Sequence, residues 1–459
     1  MENSNLIPRL LEAINNDDVK HCHPFHIQSI LQMIRDRAPN QVQIERIGNS
    51  RDGHPLYALL IGQTETKPII AATGNCHAEE AIGTVTILRL AEALVSNSDM
   101  KPLLEKYSFA FIPQANPDGT LKNWEWLKRE HPTYRDYLRH YYRDNRSEDV
   151  EHGIPTSETT QDCRPEPEAI AKFYRRFPRI HFYVTLHSAN MFPGAMFLVS
   201  QRLPAAISET LRSVAQSQRL SLYTDNDNGM GGFEFVEPGF YAIPRFEVMR
   251  EQMLAGGDPE RVKKFKLNSF QLVESECKCS MSLVSELPYF EVTGLQDLAP
   301  LSDYIPVTGD REILKRRLVD FDEQSAKHRM NLLKGLAATG LSSPLLDFHL
   351  EKANWLLGNI VGDRQDCQKV RGNPALVKDL TEVRIRSLLL EAEVAGIMLR
   401  LLRESEQPWQ KIDSLIAHYE TLFTSACDQV DKITSINPIS LSAQAKIQTG
   451  TILSGLLTV

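Results

Sequence analysis

The chain has 459 residues, of which 42% are hydrophobic and 24% are charged, so it is expected to be a globular protein of more than one domain rather than a fibrous or disordered chain. Its net charge of −8 gives no electrostatic reason to bind nucleic acid or an anionic membrane. We see neither a secretory signal nor a membrane span, and therefore expect a cytoplasmic protein without nucleic-acid or membrane partners.

The N-terminal segment, residues 1–40, is predicted to be helical. Apolar residues recur at helical spacing in two stretches, 7–14 and 27–34, which predicts two short helices. The run Ile44–Gly62 follows and contains two β-type stretches with turn signals between them. It predicts a hairpin.

Residues 41–305 alternate between strand and helix patterns. Pro68–Thr73 is a short apolar run of the kind found in a strand buried on both faces, and a helical pattern follows over Glu80–Leu94. The same alternation recurs at Tyr107–Pro113, 166–177 and Arg179–Leu186. It predicts an α/β domain with a mixed, mostly parallel sheet flanked by helices. In such sheets, ligands bind at the carboxyl ends of the strands.

From residue 306 onward the strand-like runs stop and long amphipathic stretches follow, which predicts an all-α helical-bundle domain over residues 306–459. The candidate helices are Arg311–Leu336, Pro344–Ile360, Pro374–Glu404 and Pro408–Ile433. Their length and apolar faces are compatible with a lid over an active site and with a surface for homo-oligomer formation. The sequence leaves both alternatives open.

Two histidines and a glutamate fall at the carboxyl ends of predicted buried strands. His77 and Glu80, in GNCHAEE, are three residues apart and can converge on one ion from a loop and a first helical turn. His187, in TLHSAN, can supply a third ligand for a hydrolytic zinc site. Taken singly, these motifs more often belong to surface or hydrogen-bonded side chains. Their shared place at one sheet edge favours a site for one zinc ion.

The order of the motifs resembles that of the zinc carboxypeptidases of the carboxypeptidase A type, peptidase family M14. IGNSRDGHPLYALLIG is similar to the family's Gly-x-Ser-x-x-Gly segment, GNCHAEE to its His-x-x-Glu loop, and IPQANPDG to its Asn-Pro-Asp-Gly turn. TLHS is similar to the strand of the third ligand and SELPYF to the strand of the general base. These five matches lie in order across residues 44–290. They imply a carboxypeptidase-like fold with zinc at His77, Glu80 and His187.

The resemblance implies roles for four further residues. Glu286 becomes the general base, with Glu291 as its nearest rival. RDNRS resembles the family's Arg-x-Asn-Arg-Ser segment, which makes Arg143 the oxyanion residue and Arg146 a substrate-binding residue. A solvated helix face is the alternative for this stretch. Tyr241 is predicted to be the substrate-binding tyrosine.

The sequence departs from the family in the segment that binds the substrate's terminal carboxylate. Where the family has Asp-x-Asn-Arg-Asn, this chain has EDVEHGIP, and Glu79 stands where the family often has arginine. We expect a zinc-dependent amide hydrolase that releases a C-terminal residue from a peptide or peptide-like small molecule. Two alternatives stay open: a deacylase of N-acyl amino acids, and a catalytically vestigial binding module.

Overall fold

The computed structural model describes residues 6–14, 18–144, 149–156, 163–189, 193–200, 202–224, 233–243, 266–303, 310–338, 341, 343–404 and 412–458. Its strands are β1 (Val42–Asn49), β2 (Pro55–Ile61), β3 (Ile69–Gly74), β4 (Ser108–Ile112), β5 (Ile154–Pro155), β6 (Phe182–Ala189), β7 (Met196–Val199), β8 (Glu234–Glu237), β9 (Phe240–Ala242), β10 (Lys266–Leu267), β11 (Ser282–Pro288), β12 (Phe290–Val292) and β13 (Ile436–Pro438).

The described residues contain a nine-stranded mixed sheet with the strand order β1-β2-β4-β3-β6-β11-β7-β9-β8. Its centre is parallel, because β4, β3, β6 and β11 pair in parallel in that order. The predicted hairpin forms the antiparallel edge β1–β2. Every residue of β3 is buried, as the continuous apolar run predicts for a central strand.

The α-helices are α1 (Leu6–Glu12), α2 (Ile27–Arg37), α3 (Ile82–Ser96), α4 (Lys101–Lys106), α5 (Pro117–Lys122), α6 (Trp124–Leu127), α7 (Tyr134–His140), α8 (Pro165–Tyr174), α9 (Ala205–Ser217), α10 (Ser269–Glu276), α11 (Arg311–Ala337), α12 (Pro344–Gln368), α13 (Val377–Glu404), α14 (Ile412–Ile433) and α15 (Leu441–Leu453). The predicted fold class, an α/β sheet flanked by helices and followed by a helical region, is confirmed. Within the described ranges, no helix combines the length and the apolar character that a membrane span requires.

Helix α15 rejoins the sheet instead of extending the helical region. Its residues Ile447, Ile452 and Leu453 are fully buried in the same apolar core as strands β3 and β6. Helix α1 also lies against this core, through Ile7 and Leu10. The sequence-based domain bounds included residues 441–457 in the C-terminal helical domain. In the structure, these residues pack on the sheet of the α/β domain. The long helices of residues 311–433 therefore lie between two stretches of chain that both build the α/β core, and we call them the helical region.

The helical region contains a partly buried cluster of charged side chains, which we call the helical charge cluster: Arg329, Lys352 and Glu393. The Glu393 carboxylate accepts hydrogen bonds from Arg329 Nη2 at 3.0 Å and from Lys352 Nζ at 2.7 Å. Burial raises the pKa of Glu393, but the charges of Arg329 and Lys352 outweigh this effect and hold the pKa below its usual range. The cluster ties α11, α12 and α13 together.

Candidate metal centre

His77, Glu80 and His187 come together where two central strands end. His77 and Glu80 lie in the loop between β3 and α3, and His187 lies near the C-terminal end of β6. Strands β3 and β6 are parallel, with Gly74 opposite Leu186. Because parallel strands end at the same edge of a sheet, the loop that follows β3 and the end of β6 meet there. The structure thus places the three predicted metal ligands side by side.

The donor atoms of these three residues converge. His77 Nδ1 lies 2.9 Å from Glu80 Oε1, and His187 Nδ1 lies 2.8 Å from Glu80 Oε2. The two ring nitrogens are 3.0 Å apart. All three side chains are buried, with relative exposures of 7% for His77, 1% for Glu80 and 2% for His187. Two imidazole nitrogens and a carboxylate that face one another in a buried site form a donor set that suits zinc.

The loop that carries His77 is held in an unusual backbone conformation. Asn75 has a positive φ of 56°, and its side-chain amide donates to the carbonyl oxygen of His77 at 2.9 Å. Gly119, in the NPDG turn, packs against the same loop, and a Cβ atom there would lie 2.4 Å from Ala78 Cβ. The predicted Asn-Pro-Asp-Gly turn therefore supports the ligand loop, and glycine permits the close approach.

The second ring nitrogen of His187 has a hydrogen-bond partner, and that of His77 lies near a carboxylate. Thr185 Oγ1 and His187 Nε2 are 2.8 Å apart, and Asp149 Oδ2 lies 3.5 Å from His77 Nε2. Such partners orient a metal-binding histidine and select its tautomer. Asp149 also lies near His152, and His77, Asp149 and His152 form a second, more exposed group of candidate ligands. Sequence reasoning missed Asp149, which lies in the segment that departs from the family pattern.

Glu286 lies beside the metal ligands on the adjacent strand. Strand β11 is parallel to β6, and Glu286 is directly opposite His187. Burial raises the pKa of Glu286 to about 7, and the charge of His187 opposes this shift. Its rival Glu291 lies on β12, opposite Asn437, in a separate two-stranded sheet. The geometry favours Glu286 as the carboxylate next to the cluster.

Arg143 contacts two carboxylates of the ligand loop and lies near a third carboxylate outside it. Its Nη1 donates to Glu79 Oε1 at 2.9 Å and to Glu80 Oε1 at 3.4 Å, while Nη2 lies 3.5 Å from Asp149 Oδ2. The Arg143 side chain is 24% exposed and that of Glu79 is 3% exposed. Burial raises the pKa of Glu79, and the charge of Arg143 opposes the rise. Arg143 is therefore beside the cluster, in contact with buried acids.

The remaining predicted site residues lie elsewhere. Tyr241 is buried in β9, which is separated from β11 by β7, and its ring packs against Tyr223 and Phe235. Its predicted role in substrate binding stays a prediction. Arg146 lies outside the described residues. A different tyrosine contacts the ligand loop: Tyr289, whose hydroxyl donates to the carbonyl oxygen of Glu79 at 2.6 Å. It lies three residues beyond Glu286, within the SELPYF motif.

Comparison with known proteins supports the resemblance. Residues 27–223 match the family model described as zinc carboxypeptidase. This match includes His77, Glu80, Arg143 and His187 and ends before Glu286. The predicted resemblance to the zinc carboxypeptidases is confirmed.

Individual relatives match over short stretches. The chain is 32% identical over 116 residues to the inactive metallocarboxypeptidase ECM14 of Ajellomyces dermatitidis, which covers 22% of this chain and 20% of that protein. It is 33% identical over 140 residues to carboxypeptidase E of Caenorhabditis elegans, covering 28% and 29%. The chain thus aligns with less than a third of the length of these relatives. The solved structure of carboxypeptidase A from Helicoverpa armigera is 15% identical, with 81% of each chain covered and a TM-score of 0.36.

Proposed function

We propose that this chain, a relative of the zinc carboxypeptidases through residues 27–223, is a zinc-dependent hydrolase that cleaves an amide bond and releases a C-terminal residue from a peptide or peptide-like small molecule. One observation carries the proposal: the donor atoms of His77, Glu80 and His187 converge within hydrogen-bond distance of one another in a buried site. A carboxylate suited to proton transfer, Glu286, lies on the next strand.

The three converging residues fit a zinc ion. His77 and His187 would bind it through Nδ1, and Glu80 through its carboxylate. A bound zinc ion supplies Lewis acidity and lowers the pKa of a water molecule from about 15.7 toward 7. The chain itself holds the ring of His187 through a hydrogen bond with Thr185, and Asp149 lies 3.5 Å from Nε2 of His77. This preorganisation keeps the Nδ1 atoms directed at the site.

Glu286 would move the proton. A general base works best when its pKa lies near the working pH, and burial raises the pKa of Glu286 to about 7. Its carboxylate would accept a proton from the attacking water and then donate it to the departing amine. The matched register of Glu286 and His187 places both residues at the same level of the sheet.

Arg143 would stabilise the negative charge that develops on the amide oxygen. A guanidinium group is always charged and carries several donors, which suits it to an oxyanion. In the structure its Nη1 binds Glu79 and its Nη2 lies near Asp149. These carboxylates hold the guanidinium beside the ligand loop, and the remaining donors are available to a substrate oxygen.

A deacylase of N-acyl amino acids is the second candidate. It would use the same three metal ligands and Glu286, and it differs from a carboxypeptidase in the acyl group that precedes the scissile amide. A catalytically vestigial binding module is the third candidate, because one relative is named an inactive metallocarboxypeptidase.

Hydrolysis assays on zinc-reconstituted protein would separate these candidates. Peptides with free and with amidated C-termini would be compared with N-acyl amino acids, using Glu286→Gln as the inactive control that retains metal. Cleavage of free-terminus peptides alone supports the carboxypeptidase. Cleavage confined to N-acyl amino acids supports the deacylase. If the wild type binds zinc and cleaves no substrate of either class, the hydrolase proposal is wrong and the binding module remains.

A further inference from the structure

Helix α7 and the three residues after it connect the helical region to the metal centre. The segment ends at Arg143, whose guanidinium binds Glu79 and Glu80. Helix α7 itself ends at His140, so the carbonyl group of this residue has no acceptor role within the helix. The position of the guanidinium therefore depends on the contacts that hold this short helix and residues 141–143, which follow it.

Helix α13 contacts the end of α7 and the residue that follows it. Arg400 Nη1 donates to the carbonyl oxygen of His140 at 2.9 Å and lies 3.5 Å from that of Tyr141. Its Nη2 donates to the carbonyl oxygen of Lys122 at 3.1 Å. An arginine at a helix C-terminus satisfies unpaired carbonyls and complements the helix dipole. Arg400 thus acts as a C-terminal cap for α7 that is supplied by a distant helix.

The two helices approach one another closely one turn before Arg400. A Cβ atom on Gly396 would lie 2.5 Å from the carbonyl oxygen of Leu138, so only glycine permits this distance. At the start of α7, the Tyr134 hydroxyl donates to the carbonyl oxygen of Cys427 on α14. Arg139 binds Glu420, also on α14. The helical region therefore fixes α7 at both ends.

We propose that Arg400 is a positioning residue for hydrolysis: by binding the carbonyl groups of His140 and Tyr141, it fixes the backbone from which the Arg143 side chain extends to the metal centre. This inference rests on the proposed function. Arg400 contacts the backbone oxygens two to three residues before Arg143, that of Lys122, the ring of Tyr142 and the Glu404 carboxylate of its own helix. Since none of these groups is a metal ligand, we infer that Arg400 acts through Arg143. The helical region is then part of the catalytic apparatus as well as a packing partner.

The test compares Arg400→Ala with Arg384→Ala, a matched change at an exposed arginine of the same helix. Misplacing a catalytic group by about 1 Å can cost about 100-fold in rate, so we expect kcat of Arg400→Ala to fall about 10- to 100-fold. KM and zinc content should change little. Arg400→Lys should recover part of the loss, because an ammonium group can bind one of the carbonyl oxygens. Arg384→Ala should resemble the wild type.

A double mutant shows whether the effect passes through Arg143. In an Arg143→Ala background, Arg400→Ala should cause no further loss of kcat. A full additional loss would overturn the proposal, as would wild-type kcat in the single Arg400→Ala variant.

Hydrogen–deuterium exchange supplies a readout that does not need activity. Amides of residues 137–144 should exchange faster in Arg400→Ala than in the wild type and Arg384→Ala, because the cap on α7 is lost. If the zinc-loaded wild type shows no hydrolysis, the proposed function fails and exchange alone decides the structural part. Unchanged exchange in Arg400→Ala would then overturn the positioning role.

Discussion

Two clusters of charged or titratable side chains, one partly buried and one buried, lie near the residues that follow α7, and they differ in how their atoms face one another. In the helical charge cluster, one carboxylate, Glu393, receives hydrogen bonds from two cations. In the metal centre, two imidazole nitrogens and one carboxylate converge, and the nitrogens are 3.0 Å apart. The Lys352 ammonium lies 5.6 Å from the centre of the Tyr141 ring, two residues before Arg143.

The difference separates a structural ion pair from a site that needs a ligand. The Glu393 carboxylate of the helical charge cluster already receives hydrogen bonds from two cations, so it does not require a further cation. When both Nδ1 atoms are deprotonated, as metal binding requires, the lone pairs of His77 and His187 face one another across 3.0 Å, and a cation between them removes the repulsion. The orientation of donor atoms toward one another, more than the burial of charged groups, favours the metal centre as the functional site.

The largest effect is expected from removing a metal ligand. Glu80→Gln replaces the carboxylate that contacts both histidines, and hydrolysis should fall about 10⁴-fold or more, because a catalytic metal supplies several kcal/mol of transition-state stabilisation. Metal analysis should show that bound zinc falls in parallel. Glu79→Gln, one residue earlier, should keep its zinc. Equal zinc loss in both variants would argue that the loop, and not the ligand, was damaged.

Removal of the general base should cost less and leave the metal in place. Glu286→Gln is expected to lower kcat by about 10²- to 10⁴-fold, since it cannot accept a proton. Glu291→Gln serves as the control and should retain wild-type kcat, because Glu291 lies opposite Asn437 in a separate sheet. Steady-state kinetics with zinc quantification checks both variants. Reversed results for the two glutamates would reassign the base.

A smaller effect is expected from the oxyanion residue. Arg143→Ala should lower kcat by about 10²- to 10³-fold, in the range found for loss of one oxyanion donor. Arg143→Lys should retain the charge but lose the forked geometry, and should fall between the wild type and the alanine variant. If Arg143→Ala raises KM with kcat unchanged, Arg143 binds the ground-state substrate instead.

The helical charge cluster should affect stability more than chemistry. Glu393→Gln leaves Arg329 and Lys352 without their buried counter-charge, and we expect a loss of about 3 kcal/mol in the free energy of unfolding. Zinc should stabilise the wild type and this variant by the same amount, because ligand binding elsewhere adds independently. Urea unfolding with and without a chelator measures both effects. A loss of zinc stabilisation in the variant would contradict the separation of the two clusters.

The convergence of the three candidate metal ligands could be predicted because it depends on local pattern. Buried strands are continuous apolar runs, and residues that follow parallel strands meet at one edge, so His77, Glu80 and His187 could be assigned from sequence. Glu286 required the family resemblance, because no spacing in the chain links it to His187. The structure supplies that link through the register of β6 and β11.

The site residues and the helix packing that sequence reasoning missed depend on contacts between segments that are distant in the chain. Asp149 and Tyr289 reach the ligand loop through the folded chain, and neither belongs to a local motif that marks such a contact. The residues of helix α15 were included in the helical domain without a predicted helix, and in the structure they pack on the sheet through Ile447 and Leu453. Apolar periodicity shows that a helix has a buried face and does not show which partner covers it.

Anomalous diffraction at the zinc absorption edge, from crystals of the zinc-loaded protein, tests the central claim most directly. One peak should lie about 2.0–2.2 Å from His77 Nδ1, from His187 Nδ1 and from a carboxylate oxygen of Glu80. A zinc peak among His77 Nε2, Asp149 and His152 instead, or no peak near His187, would contradict the assignment of the metal centre.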